Sequence, residues 1–415
     1  MNGDTPRTRR GFLADSAKLA AATGLASAVG CSMADRGPTL TTTAGPKPKS
    51  FSRDSKINLA VIGLGNRWHL VFSELLEADR NLSVKAIADP RQDNVDRALK
   101  TIGEALHDKP EVYRGPEDYL KVLARDDVDA VMISVPNYLH TTMYLAAFAA
   151  GKHFYGEKPM SIAVNEANAM VEAQEKNPEI TAQIGFQRRA TTLYQKGIEM
   201  IRDGAVGRIL DCRGAWDTPG GPMGTVKSGP RIWFGRRKFS GDWMLDQACH
   251  TWDVFNWVAG KLPIAASGIG YKDVYTDIDP GRDVTDLYYA HLEYPEFHVD
   301  YEHSWICPYN DQYPGDRDGL FSGVFERVGG SEGGIALERG KLFFRDKKKQ
   351  PVQYIEGTFE PGWTRESIVS FMHALRNHAP VASGARNGRD ATLVALMVRK
   401  AVDERRRVTM KEITG

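Results

Sequence analysis

Ile57-Asn58-Leu59-Ala60-Val61-Ile62-Gly63-Leu64-Gly65-Asn66-Arg67-Trp68 is the stretch on which the fold turns. A short, mainly apolar run ends at two glycines one residue apart, and helical spacing of Leu70, Leu75 and Leu76 follows over residues 69–78. The order predicted is strand, glycine turn, helix. In such a turn Gly63 permits the tight bend. Gly65 lets the backbone approach a pyrophosphate, whose charge then rests on a helix N-terminus opened by Asn66 and Arg67. The third glycine of a G-x-G-x-x-G pattern is absent, because Trp68 stands where close helix-to-strand packing prefers no side chain.

A second strand, Leu82–Ala88, leads to Asp89, at the distance downstream where an acidic residue takes the ribose hydroxyls of a dinucleotide. NAD is therefore the expected cofactor. Arg91 suits a 2′-phosphate and keeps NADP as the second option, while a plain turn at Asp89-Pro90 is the structural alternative. Residues 128–135 have a buried-strand pattern, residues 141–150 form an alanine-rich helix, and residues 151–155 lead to another strand end. Alternation of this kind implies a parallel sheet, so residues 57–180 read as an α/β Rossmann domain.

Two phrases in this half are more specific than the glycine turn: Val135-Pro136-Asn137-Tyr138-Leu139-His140 and Gly151-Lys152-His153-Phe154-Tyr155-Gly156-Glu157-Lys158-Pro159. A third, Gly241-Asp242-Trp243-Met244-Leu245-Asp246-Gln247-Ala248-Cys249-His250-Thr251-Trp252-Asp253, follows in the second half. Together they resemble the glucose-fructose oxidoreductase/inositol dehydrogenase/rhizopine catabolism (Gfo/Idh/MocA) family over nearly everything after Lys56. The resemblance implies that Lys158 reaches the cleft between cofactor and substrate, and that Pro136, Asn137, His140 and Glu157 join Gly63, Gly65, Asn66, Arg67 and Asp89 around the nucleotide.

Asp246 and His250 are four residues apart, so on one helix they share a face, with Asp253 on roughly the same side. Oxidising a secondary alcohol requires removal of the hydroxyl proton as hydride leaves carbon, and histidine suits that transfer. His250 is the proton-transfer candidate. Lys158 would stabilise the developing alkoxide, and Asp246 would fix the imidazole tautomer and favour its charged form. The structural alternative makes Asp246 a helix cap and His250 a core residue beside Trp252, Phe255 and Trp257. Tyr138, Gln187, Trp233, Asp253 and His303 are the further substrate-contact candidates, with Arg188, Trp216 and Trp305 beside them. Aromatic faces suit a sugar ring.

From residue 181 to 415, β-rich stretches at 209–216, 265–275, 285–305 and 324–344 precede two helical patterns at 364–377 and 389–405. They predict an α+β domain with a large, mostly antiparallel open sheet. The family resemblance implies that its open face pairs subunits in a homodimer or homotetramer.

The chain begins with Thr8-Arg9-Arg10-Gly11-Phe12-Leu13 and an alanine-rich run over residues 17–29, too short to span a bilayer. Residues 1–31 therefore read as a twin-arginine export signal, which places the protein in the periplasm or cell envelope. Ala28-Val29-Gly30-Cys31 resembles a lipoprotein processing site and makes Cys31 a candidate lipid anchor. Residues 32–56, rich in Thr, Pro, Gly and Lys, read as a flexible linker outside the fold.

With 54 basic and 53 acidic residues in 415, the chain has no global field to draw in nucleic acid. Its four cysteines lack the spacing of a metal site. Three functions remain open at this point. One is a redox enzyme acting on a small carbohydrate or cyclitol with a retained, internally recycled cofactor. Another is a glycosidase working by transient oxidation and elimination, with Tyr138 or His303 as base for the second proton. The last is a binding protein that keeps the fold without turnover, encouraged only by Trp68.

Overall fold

The computed structural model describes residues 40, 42–49, 51–218, 224–307, 323–346, 350–359 and 362–415. The expected export signal, with Cys31, lies outside the described residues.

Six parallel strands form the first sheet: β1 (Ile57–Ile62), β2 (Leu82–Ala88), β3 (Glu111–Tyr113), β4 (Ala130–Ile133), β5 (His153–Gly156) and β6 (Ala182–Ile184). Their order is β3-β2-β1-β4-β5-β6, so the direction of winding reverses between β1 and β4 and leaves a crevice at their C-terminal ends. The connecting helices are α1 (Asn66–Ala78), α2 (Gln92–Leu106), α3 (Tyr119–Leu123), α4 (Asn137–Ala149) and α5 (Val164–Lys176). Apart from the exposed edge strand β3, the strands are short and almost wholly buried, as a sheet covered on both faces requires. The sixth strand lies just beyond the expected domain boundary at residue 180.

After α6 (Gln187–Ala190) and α7 (Thr192–Arg202) comes a nine-stranded sheet, ordered β14-β13-β12-β11-β7-β10-β9-β8-β15. It is built on β7 (Ile209–Asp217), β8 (Ala265–Tyr271), β9 (Leu287–Glu293), β10 (His298–Ser304) and β11 (Gly323–Gly330), and continues through β12 (Gly333–Ala336), β13 (Lys341–Phe344), β14 (Gln353–Tyr354) and β15 (Val408–Thr409). Only β7 and β10 run parallel, and the other pairings are antiparallel. The helices α8 (Arg237–Ser240), α9 (Trp243–Asp246) and α10 (Cys249–Ala259) follow β7, and α11 (Trp363–Asn377) and α12 (Ala385–Glu404) follow β14. A Cβ at Gly270 would lie 2.7 Å from a Val402 methyl, so glycine in β8 is what lets α12 approach the sheet. On the opposite face Ile269, Tyr271, Tyr289 and Phe343 are exposed, alternating with less exposed neighbours.

Two features depart from the reading of the sequence. Helix α11 turns most of its buried face to the first domain, while its first residue, Trp363, packs edge-on to Tyr194 of the second. Its Ile368, Phe371, Met372 and Leu375 share a buried cluster with Leu59, Val61, Trp68 and Phe72 of the first. Trp68 is tolerated in place of glycine because it stacks on Phe72 (ring centroids 4.9 Å apart) within this cluster. The expected linker, over its described part, is also held against the first domain. The Gly45 N–H donates to Asn177 Oδ1 at 2.7 Å, Lys49 pairs with Asp129 at 3.0 Å, and the Phe51 ring packs edge-on to His153. Too polar to make a core of its own, this segment pairs its backbone with groups at the end of α5.

Since Phe371 is fully buried against Tyr155, Phe371→Ala is expected to cost about 3–5 kcal/mol in denaturant unfolding. A loss under about 1 kcal/mol would show that α11 is dispensable to the first domain.

Candidate functional site

Gly63 has φ +86°, and a Cβ there would lie 2.3 Å from the Ser134 carbonyl oxygen at the end of β4, so glycine is obligatory. Gly65 is the opposite case. Among the described residues nothing lies within 4 Å of the position its Cβ would take, which leaves the α1 N-terminus open to a ligand, and no side chain caps that helix end. Asp89 follows β2 and is nearly buried. Its carboxylate accepts from the Leu64 N–H (2.8 Å), the Arg91 N–H (2.9 Å) and Asn94 Nδ2 (3.1 Å). Arg91, the residue suited to a 2′-phosphate, spends its guanidinium on Asp93. An open glycine turn, an anion-accepting helix end and an acidic residue at the second strand's end fit NAD.

The other expected cofactor residues have protein partners. Arg67 turns to Glu157, Nε to Oε1 at 2.6 Å, and reaches Thr364 of α11 at 3.4 Å. His140 is buried with Nδ1 2.6 Å from the Pro159 carbonyl and Nε2 2.8 Å from the Val135 carbonyl, so it ties the two strand-end phrases together. Asn66 Oδ1 accepts from Arg97 at 3.2 Å. Pro136 caps α4, and Asn137 begins it. The Asn137 amide donates at 2.8 Å to both the Ser240 carbonyl and Asp246 Oδ1, linking the first domain to the loop before α10.

Lys158, just past β5, donates from Nζ to the Asp246 backbone carbonyl at 2.5 Å. His250 sits in the first turn of α10, 4% exposed, its ring stacked on Trp216 (5.9 Å, 14°) and edge-on to Phe186 (5.9 Å, 84°). Its Nδ1 is buried and has no hydrogen-bond partner among the described residues. Lys158, Asp246 and His250 are thus brought to one place, but the expected Asp246–His250 bond is absent among the described residues. The reason is local. Helix α9 ends at Asp246 and α10 begins at Cys249, so the i,i+4 spacing spans a break rather than one helix face. Asn137 takes the carboxylate instead. Nor is the imidazolium favoured. Burial, reinforced by Arg188, Lys158 and Arg67, holds His250 well below its ordinary pKa, so the ring is neutral at neutral pH.

The further substrate candidates separate by exposure. Tyr138 is 36% exposed, tilted on Phe239 at 4.8 Å, and Trp233 stacks on Phe234 at 3.8 Å. Gln187 donates to Thr364 Oγ1 at 2.5 Å. Asp253 is buried and accepts from Arg189 Nε at 2.7 and 2.9 Å, which spends its charge inside the protein. His303 is fully buried in β10, Nδ1 3.2 Å from the Tyr301 hydroxyl, its pKa pushed down to about 3 by burial. Neither is a surface that substrate can reach. Arg188 emerges as a second support of the site. Its guanidinium lies 5.4 Å from the Trp216 ring centroid and pairs with buried Glu326 at 3.3 Å. Phe186, Thr364 and Glu326 escaped the sequence reading because β11 and α11 supply two of them from far along the chain. Among the described residues no cluster of metal-ligating side chains occurs, and no helix is long and apolar enough to cross a membrane.

Burial holds His153 down to about 4 and His303 to about 3, against about 6.5 in an unfolded chain. Below pH 6.5 the unfolded state binds protons that the folded state refuses, so stability falls with pH by about 1.4 kcal/mol per unit for each such histidine. Urea unfolding between about pH 6 and 4.5 should show this slope, and His303→Gln should flatten it by about one proton. An unchanged slope in that variant would contradict the burial argument.

Two family models match the chain: an oxidoreductase family with an NAD-binding Rossmann fold over residues 57–186, and the GFO/IDH/MocA C-terminal domain over residues 194–335. The chain is 31% identical over 163 residues to a glycosyl hydrolase family 109 protein of Bacteroides fragilis, covering 39% of this chain and 37% of that one. It is 24% identical over 232 residues to scyllo-inositol 2-dehydrogenase (NAD(+)) of Bacillus subtilis, covering 54% and 62%. In both cases less than two thirds of the relative's length is spanned. In fold it is similar to scyllo-inositol dehydrogenase of Lactobacillus casei, solved with NAD(H) and scyllo-inositol, with TM-score 0.67 and 19% identity over 86% of this chain and all of that one.

Proposed function

The chain belongs to the Gfo/Idh/MocA oxidoreductase family with its NAD-binding Rossmann fold, and from that premise we propose that it oxidises a secondary hydroxyl of a sugar, glycoside or cyclitol. The observation that carries this reading is a Lys158 ammonium bonded to the carbonyl of Asp246, four residues before a buried, neutral His250 whose pKa that charge lowers. NAD, when bound, takes up the hydride. His250 accepts the hydroxyl proton, and the Lys158 ammonium, held by a neutral carbonyl rather than a carboxylate, stabilises charge developing on the alcohol oxygen. Asn137 positions Asp246, and through its carbonyl the lysine.

Glycosidase action by transient oxidation is the second reading, supported by the family 109 relative. It uses the same first step and needs a further base. Tyr138 remains the candidate, since His303 is interior. The binding-protein reading loses its one support, because Trp68 faces the core and leaves the glycine turn open.

A bound cofactor retained through export suits paired hydride transfers, in which one sugar is oxidised and another reduced. Export by the twin-arginine route rests on Thr8 to Leu13 and the alanine-rich run after it, and lipidation at Cys31 on the small residues before it. The exposed Ile269, Tyr271, Tyr289 and Phe343 on one face of the second sheet support a homodimer or larger assembly.

Protonated His250 cannot accept a proton, so activity is lost as pH falls through its lowered pKa, and the acid limb of kcat/KM is expected below pH 6.5. His250→Asn should abolish that limb and lower kcat by about 10²–10⁴-fold with NAD content unchanged. A limb that survives the substitution would remove His250 from the chemistry. Release of aglycone from an aryl glycoside without net NADH would select the second reading. For localisation, Arg9→Lys with Arg10→Lys should trap the protein in the cytoplasmic fraction, and undiminished envelope material would overturn the export proposal.

A further inference from the structure

Helix α2 carries an arginine across the glycine turn. Arg97 donates from Nη1 to Asn66 Oδ1 at 3.2 Å and from Nη2 to the Asn94 amide oxygen at 3.4 Å and the Leu64 carbonyl at 3.5 Å. All three acceptors are neutral, and the two bonds from Nη2 are long. Every acid close to it along the chain is already engaged. Asp89 is taken by Leu64, Arg91 and Asn94, Asp93 by Arg91, and Asp96 by Gln92. Among the described residues no carboxylate pairs with Arg97. Its charge is also felt at His69 on α1, where burial and Arg97 together lower the imidazole pKa.

The turn it overhangs is the one whose Gly65 faces open space and whose helix N-terminus has no side-chain cap. Helix N–H groups alone attract a phosphate weakly in water, whereas a guanidinium binds it through paired N–H···O contacts. We propose that Arg97 is a cofactor-binding residue that closes over the glycine turn and grips the diphosphate of the dinucleotide, exchanging its bonds to neutral oxygens for charged ones. The proposal rests on the NAD reading of this turn. It adds a residue outside the glycine motif that governs how tightly cofactor is retained, and so whether a protein that recycles its cofactor can keep it.

The test follows release of isotopically labelled NAD from the full-length protein into excess unlabelled NAD, and displacement of that NAD by ADP and by adenosine. Arg97→Ala changes an exposed helical position to the residue that favours helix most, so the fold should persist, with an unchanged nucleotide-free melting temperature as the check. The expected result is NAD release at least 10-fold faster in Arg97→Ala, an intermediate rate in Arg97→Lys, and at least 10-fold weaker displacement by ADP with adenosine unaffected. Wild-type release rates in the alanine variant would overturn the proposal. So would equal weakening of ADP and adenosine, or an effect confined to NADP, which would place Arg97 at the base or at the 2′-phosphate. A wild-type protein that takes up no NAD would instead defeat the cofactor reading itself.

Discussion

A buried carboxylate that must be satisfied from another domain is the constraint on which the site depends. Asp246 is 6% exposed, and the donor that reaches its Oδ1 is Asn137, at the start of a helix of the first domain. Lys158, from the end of a neighbouring strand of that domain, takes the carbonyl of the same residue. Two strand-end loops of the parallel sheet therefore hold one short helix of the second domain. Removing Asn137 takes the donor from a buried carboxylate oxygen, a penalty larger than the ordinary worth of one hydrogen bond, and removing Lys158 leaves the Asp246 carbonyl only the weak Cys249 thiol among the described residues. Because His250 begins the next helix, this clamp also fixes where the imidazole stands relative to the lysine.

The electrostatics follow from how the cations are paired. Arg67 is neutralised by Glu157, Arg188 by Glu326 and Arg189 by Asp253, whereas the partner of Lys158 among the described residues is a neutral carbonyl. In a partly buried cleft that ammonium can stabilise a developing negative charge. The same positive surroundings, added to burial, keep His250 neutral and able to accept a proton.

The first sheet was legible because its signals are local: an apolar run, a glycine that must adopt positive φ, and an acid at the end of the next strand. That Lys158, Asp246 and His250 share one site was implied instead by the family resemblance of the three quoted phrases. What sequence spacing could not convey was the break between Asp246 and His250, which turned an expected carboxylate–imidazole pair into a carboxylate–amide pair with Asn137. Nor could it reveal that Asp253 and His303 are consumed inside the core, since Arg189 and Tyr288 reach them only through tertiary packing. The return of the 363–377 helix to the first domain, and the docking of residues 42–49 on it, likewise depend on long-range partners.

The central claim is that this cleft moves hydride between a carbohydrate carbon and the nicotinamide. Incubating the purified protein with sugars or cyclitols deuterated at their secondary carbinol carbons, then denaturing it and analysing the released nucleotide by mass spectrometry, tests it directly. The account predicts deuterium on the nicotinamide ring with wild-type protein and its near absence with Lys158→Ala. Label that never reaches the nucleotide, in a protein shown to hold NAD and to bind the sugar, would contradict it.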